Sequence, residues 1–509
     1  MIQHIIILPI INQLFIAVLL MFFYGRAKAQ RFITVVGSAL NLLIAATLMH
    51  RVASEGIISM QAGNWDAPFG ITLIADHLAA VLVLLTSISG FAVSLFSVRT
   101  IHVKRVNFGF FPIFHFLLAG LNGAFLTGDL FNLYVWFEIM IISSFVMITL
   151  GGRKAQIEGA VKYFTLNILA SVIFLTAIGV LYGITGTLNM ADLALKVPVI
   201  ENRGTVHVTA ILFLIGFGIK SAVFPLYFWL PASYHTPPAA VSAIFGGLLT
   251  KVGVYALIRV FTLIFIDDLF LERMLLGIAV LTIISGGMGA LIKNDIRKIF
   301  SYFIICHIGF MIGGLGIMTQ TAIAGAMFYL IHDIIVKTNI FMVAGLVKKL
   351  TGRQDTRLLG GLYSTHPLLS LLMMIPLFSL VGVPPLSGFW PKIWLFEAAL
   401  DGGFYFTFAA ILFGSFITLF VVAKMWKRVF WGKPLKPDSL GFALFDDEQP
   451  GAKFKFLLPI ILLSVVSLYI GLGAEHIGNL SQTVAGELTN PQGYIEAVFG
   501  NVNLQPYED

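Results

Sequence analysis

The chain has 509 residues, of which 58% are hydrophobic by the broad count and only 11% are charged, against roughly 25% charged in an ordinary soluble domain. This excludes a string of water-soluble domains, because apolar runs of about 20 residues, the length that crosses ~30 Å of hydrocarbon, recur from end to end. The formal charge of +7 does not point to nucleic acid, since the basic residues sit in the gaps between apolar runs and form no cluster interleaved with polar patterns.

The first apolar run, from Ile5 to Tyr24, is followed by Ala27-Lys28-Ala29, which resembles a signal-peptidase site. A signal peptide carries its charge ahead of a core of about 7 to 15 residues, whereas here Arg26, Lys28 and Arg31 follow a longer run. An uncleaved first span with its N-terminus outside is expected. Hydropathy and interrupting charges then place fourteen spans near 4–24, 32–50, 71–98, 109–127, 130–150, 160–182, 207–230, 239–260, 274–292, 299–317, 321–347, 368–398, 404–425 and 456–474.

The distribution of Lys and Arg supports that register. The inner loops hold Arg26, Lys28, Arg31; Arg99, Lys104, Arg105; Arg153, Lys154, Lys162; Lys293, Arg297, Lys298; Lys348, Lys349, Arg353, Arg357; and Lys424, Lys427, Arg428, Lys433, Lys436, Lys453, Lys455, which is 23 of 32. The outer side holds only Arg51, Lys196, Arg203, Arg259 and Arg273. Basic residues collect on the cytoplasmic side, so both termini are expected outside. The single cysteine, Cys306, lies in an apolar run and supplies neither a disulfide framework nor a thiolate metal site.

Four lysines remain inside spans: Lys220, Lys251, Lys337 and Lys392. Each costs about 2.5–3.5 kcal/mol on the insertion scale, on the order of 10 kcal/mol together, which a structural accident does not explain. Glu138 lies midway along span 5, and Asp333 precedes Lys337 by four residues, on the same helical face. Static ion pairs between helices are one account of such residues, and snorkelling to the headgroups is another. Snorkelling fails for Lys220 and Lys251, which sit well inside their spans, and four lysines outnumber the buried carboxylates. A lysine balanced between desolvation and a nearby carboxylate takes up or releases a proton as that balance changes, so a row of them reads as a proton relay. His332 can join it or serve as a packing residue.

Proline supplies the second signal, because inside a span it removes a backbone hydrogen bond where lipid offers no substitute. Pro225 and Pro231 break span 7 beside Lys220, and Pro384-Pro385 break span 12 shortly before Pro391-Lys392. The breaks stand five spans apart, an odd number, which implies inverted repeats over spans 4–8 and 9–13. The expected units are 1–106, three spans; 107–262 and 263–433, the two repeats; and 434–509, an inner loop, the last span and an outer tail. Asp129, between spans 4 and 5, reads as a helix N-cap, with an outer proton exit as the alternative. Gly286-Gly287-Met288-Gly289 reads as close helix packing. No metal-ligand spacing and no cofactor site are expected, and the residues identify no cation-binding site.

The segments Lys220-Ser221-Ala222-Val223-Phe224-Pro225, Trp229-Leu230-Pro231, His235-Thr236-Pro237-Pro238-Ala239-Ala240-Val241-Ser242-Ala243 and Lys251-Val252-Gly253-Val254-Tyr255 resemble the proton-translocating antiporter family shared by Mrp-type multisubunit Na+/H+ antiporters and respiratory complex I. Asn294-Asp295-Ile296-Arg297-Lys298, Ser301-Tyr302 and His307-Ile308-Gly309-Phe310 extend the resemblance over nearly the whole chain. Length, His332-Asp333-Ile334-Ile335-Val336-Lys337-Thr338-Asn339 and Trp426-Lys427-Arg428-Val429-Phe430-Trp431-Gly432 are most similar to the D subunits of the Mrp branch.

The resemblance implies an all-α polytopic subunit of a bacterial plasma-membrane complex, a secondary transporter component without cofactor and not an enzyme, handling protons and Na+ beside other antiporter subunits. It matches Glu138 and Lys220 to the family's carboxylate–lysine pair, Lys251 to the next relay and Lys392 to the terminal lysine of the broken helix. Asp333 stands where complex I relatives often carry histidine, and Lys392 where some carry glutamate. A proton-pumping subunit of a complex I type NADH:quinone oxidoreductase or membrane hydrogenase is the alternative.

Overall fold

The computed structural model describes residues 3–266, 268–433 and 452–500. Lys436 and the loop around it lie outside the described residues, as does the side chain of Lys453. The helices that matter are α1 (Leu8–Phe22), α2 (Ala27–Glu55), α3 (His77–Thr100), α4 (Phe110–Leu126), α5 (Leu130–Thr149), α6 (Lys154–Thr185), α7 (Arg203–Ser221) and α8 (Ala239–Leu263). They continue as α9 (Leu269–Ile292), α10 (Ile296–Ile317), α11 (Gln320–Thr351), α12 (Pro367–Val381), α13 (Phe389–Asp401), α14 (Tyr405–Val429), α15 (Ala452–Leu472), α16 (Ala474–Thr489) and α17 (Gln492–Phe499).

Each expected span contains a helix. Among the described residues, twelve helices are long and apolar enough to cross a membrane, while α4 and α12 are shorter apolar helices. The starts follow from side-chain caps: Asp76, Asp129, Asn202, Asp268, Asp295 and Thr319 each accept a backbone N–H from the first turn of the helix that follows. Two departures from the expected spans appear. Residues 71–75, expected to open span 3, instead form strand β2 (Thr72–Ala75), antiparallel to β1 (Ile58–Gln61), and the helix begins only after the Asp76 cap. The stretch after α15, expected as an outer tail, folds into α16 and α17. Ser59 Oγ donates to the Ala497 carbonyl at 2.5 Å, and the His77 ring meets Glu487 of α16 at 2.6 Å.

Helix ends fall into two sets. On one side Arg31 reaches the Ile101 carbonyl, Arg297 the Pro237 carbonyl, and Arg428 the side chain of Asn294. On the other, Asp76 pairs with Arg259, and the Gly128 N–H donates to Thr72. Between them, α11 is the central post, with its whole apolar window buried; those of α8 and α10 are 94% buried. The glycines of α9 act as expected: a Cβ at Gly286 would meet Cys306 Cα of α10 at 2.7 Å, and one at Gly289 would overlap the Tyr302 ring.

Backbone details recur at fixed spacing. Leu130 N–H donates to Leu188 O and Met190 N–H to Gly128 O; 166 positions on, Ile296 N–H donates to Gln354 O and Thr356 N–H to Asn294 O. The first pair of bonds lies on the Asp76 side and the second on the Arg297 side. Helices α6 and α11 are both 32 residues long and both end on a left-handed glycine, Gly186 and Gly352.

Candidate functional site: a row of buried lysines

Both proline breaks use one design. Helix α7 ends at Ser221 with Ala222 left-handed, Val223 N–H returning to Gly218 O and Leu226 N–H to Val223 O. Helix α12 ends at Val381 with Gly382 left-handed, Val383 N–H returning to Phe378 O and Leu386 N–H to Val383 O. Short helical pieces follow each break, Trp229–Ser233 and α13. A break leaves the last carbonyls of the first half without helical partners and with the negative end of a helix dipole. Trp229 Nε1 donates to Ile219 O at 2.9 Å in the first break. Lys392 Nζ donates to Leu380 O at 3.0 Å and Val381 O at 2.7 Å in the second. Gly382 leaves room for this, since a Cβ there would meet Lys392 Nζ at 3.2 Å. Lys220 sits in the last turn of α7 itself, so each break holds an ammonium group at a helix C-terminus. The two lysines nevertheless belong to opposite halves of their spans.

All four lysines are buried, at 4% exposure for Lys220 and Lys392 and 0% for Lys251 and Lys337. Snorkelling is thereby excluded. The centre is a compact charge cluster around α11. Asp333 Oδ2 lies 2.7 Å from Lys251 Nζ, and Asp333 Oδ1 lies 3.7 Å from Lys337 Nζ and 3.5 Å from His307 Nδ1. Lys337 Nζ and His307 Nδ1 are 3.1 Å apart, and His307 Nε2 is 3.3 Å from Thr418 Oγ1. Lys251 Nζ also donates to the Gly246 carbonyl at 2.8 Å, inside the π-helical turn Phe245–Leu249 that interrupts α8. A π-turn spreads the carbonyls from their usual partners, and here one of them holds a lysine.

The expected same-face pair Asp333/Lys337 therefore forms, but the nearer partner of Asp333 is Lys251 from another helix. The pair Glu138/Lys220 does not close: no ion pair within 4.0 Å joins them among the described residues. Lys220 Nζ instead donates to Ser171 Oγ at 3.2 Å and lies over the Phe137 ring at 4.6 Å. Ser171 occupies on α6 the place that Lys337 occupies on α11, 166 residues later. Glu138 is partly buried, with Oε1 lacking a partner among the described residues. A cavity beside Lys220, lined by Phe137, Tyr163, Asn167 and Trp229, has only about 10 Å³ of room for water centres, about what one water needs.

His332 points at the second break. Its Nδ1 shares a hydrogen bond of 2.8 Å with Ser387 Oγ, which continues to Ser467 Oγ at 3.3 Å, and its Nε2 is buried without a partner among the described residues. Asp129 is an N-cap, accepting from Asn132 N–H at 2.7 Å, and burial pushes its carboxyl above the usual range. Sequence reasoning missed His307, which stood in the quoted motif as a polar residue within an apolar helix. It also counted Arg259 among the outer-side basic residues, at the end of span 8, whereas Arg259 is 3% exposed within α8 and paired with Asp76 at 2.6 Å. Asp76 lay in the drawn third span, an acid in an apolar run, and was the available signal.

A buried row of amines, one carboxylate serving two of them, and two interrupted helices define an ion-translocating membrane protein. The chain belongs to the family described as NADH:quinone oxidoreductase/Mrp antiporter, whose model matches residues 127–418. It is 44% identical over 499 residues to the D subunit of the Na(+)/H(+) antiporter of Alkalihalophilus pseudofirmus, covering 98% of this chain and 99% of that one. It is 41% identical over 502 residues to the corresponding D subunit of Bacillus subtilis, with 98% and 99% covered. Its fold matches a chain of the Mrp complex from Dietzia sp. DQ12-45-1b with a TM-score of 0.91 and 28% identity, over 98% of this chain and all of that one.

Proposed function

We propose that the chain is a proton-translocating subunit of a multisubunit Na+/H+ antiporter of a bacterial plasma membrane. Protons pass laterally along Glu138, Lys220, Lys251, the His332/Asp333/Lys337 group and Lys392, and proton entry drives cation efflux in the assembled complex. The single observation that carries this is the buried Lys251–Asp333–Lys337 cluster, in which one carboxylate faces two ammonium groups. Releasing either contact changes the charge balance on both, which is the coupling a relay needs. The relatives named as Na(+)/H(+) antiporter components favour the antiporter over a redox-driven pump, which would use the same relay.

The twelve helices long enough to span, together with α4 and the α12–α13 pair, support a reading of fourteen crossings. The shared hydrogen-bond design, repeating at 166 residues but on opposite sides of the molecule, supports inverted repeats over spans 4–8 and 9–13. The arginine-rich set of helix ends fits the cytoplasmic side and the Asp76 set the outer side, with both termini outside. Lys220→Ala and Glu138→Ala, in a normally assembled complex reconstituted in vesicles, are expected to abolish Na+-driven proton exchange. Intact exchange in both would remove this pair from the mechanism.

A further inference from the structure

Helix α8 carries a polar stripe that runs on from Lys251 to two residues the lateral relay does not use, Tyr255 and Arg259. Lys251, Tyr255 and Arg259 recur every four residues and so share one face, with Arg259 about 12 Å along the axis from Lys251. At its far end Arg259 Nη2 pairs with Asp76 Oδ2 at 2.6 Å, both side chains being 2–3% exposed. The guanidinium carbon stands 5.6 Å from the centre of the Tyr255 ring and 5.0 Å from that of Tyr494. Tyr255 donates its hydroxyl to the Phe125 carbonyl at 3.1 Å. The Tyr494 hydroxyl is buried without a partner among the described residues and lies where a Cβ on Gly128 would meet it at 3.2 Å. Tyr494 belongs to α17, and the preceding α16 is tied by Glu487 to His77, the neighbour of Asp76.

A clamp between α3 and α8 could be built from apolar residues at no loss of stability, so stability alone does not call for a buried ion pair in line with Lys251. Resting on the relay reading above, we propose that Asp76 and Arg259 are the outer gate of the proton route, reached from Lys251 through the Tyr255 hydroxyl. With the pair closed, the fixed cation of Arg259 stands between outer water and Lys251 and repels protons. When Arg259 leaves Asp76, the Lys251 ammonium gives a proton, by way of water, to the Tyr255 oxygen while the Tyr255 O–H proton passes to the Asp76 carboxylate. The hydroxyl is restored, and one positive charge has moved outward. The C-terminal helices seat the gate through Tyr494.

The test uses the whole complex in liposomes with an internal pH dye, with and without a Na+ gradient. Arg259→Gln is expected to raise proton leak without Na+ by about tenfold or more, because the electrostatic barrier is gone. Tyr255→Phe, which keeps the ring and its packing, is expected to slow exchange by about tenfold and to change its solvent deuterium isotope effect. Where a single charge change blocks assembly, the double variant Asp76→Asn/Arg259→Gln leaves no unpaired charge and is measured instead, with a raised leak again expected. Leak and exchange within about twofold of wild type in the assembled variants would reduce the cluster to a clamp and overturn the gate. Lys220→Ala measured alongside separates the cases: if it abolishes exchange while the α8 variants are silent, the relay stands and the gate alone fails.

Discussion

Asp333→Asn is the sharpest perturbation of the central cluster, since it removes one charge and almost no volume. Asp333 lies 2.7 Å from Lys251 and 3.7 Å from Lys337, with all three side chains fully buried. At an effective dielectric of about 20, the two attractions amount to about 6 and about 4.5 kcal/mol. Removing one partner of a buried pair has a measured net effect of roughly 3–5 kcal/mol, because relaxation and water recover part of the loss. Taking about 3 kcal/mol as the change in the energy of moving a proton between Lys251 and Lys337, exchange slows by at least about 100-fold. The assay is Na+-driven alkalinisation or acidification of liposomes holding the intact complex, with assembly checked on native gels. Asp333→Glu retains the charge and is expected to recover part of the rate. An assembled Asp333→Asn complex working within about twofold of wild type would refute the claim that this carboxylate couples the two lysines.

Three further outcomes follow from single contacts. Lys392→Met leaves the Leu380 and Val381 carbonyls buried and unpaired, each lost partner being worth about 1–3 kcal/mol; a lower melting temperature in detergent and slowed exchange are expected, and an unchanged melt would contradict the contacts. Gly286→Leu drives a side chain into the backbone of Cys306, so α9 and α10 separate and the protein should be lost from the purified complex; normal yield would show that the helices can part without harm. Burial raises the proton affinity of the Asp129 carboxyl, so the folded state holds that proton more tightly than the unfolded chain does. Its contribution to stability is present at low pH and is lost as pH rises through the folded value. Asp129→Asn, which keeps the cap, should flatten that part of a stability-against-pH curve while leaving neutral-pH exchange near wild type.

Much of this molecule is written in its composition. Apolar length sets the helices, and prolines 225 and 384–385 set the two interruptions, because each rests on local chemistry: burial of apolar surface in lipid, and a missing N–H. The four lysines were legible for the same reason, an ammonium group in an apolar run being costly wherever the chain goes. Partner choice was not legible. Asp333 sits one helical turn from Lys337 on the same helix, yet its shortest contact is to Lys251, which the π-turn in α8 and the central position of α11 bring within 2.7 Å. Lys220 meets Ser171 and the Phe137 ring rather than closing on Glu138, and Arg259, counted with the outer-side basic residues at the end of its span, is buried against Asp76, 183 positions earlier in the sequence. Sequence alone determined which groups would be buried with charge. Tertiary packing decided which charges meet, because an ion pair depends on separations of a few ångströms between helices that no local pattern encodes.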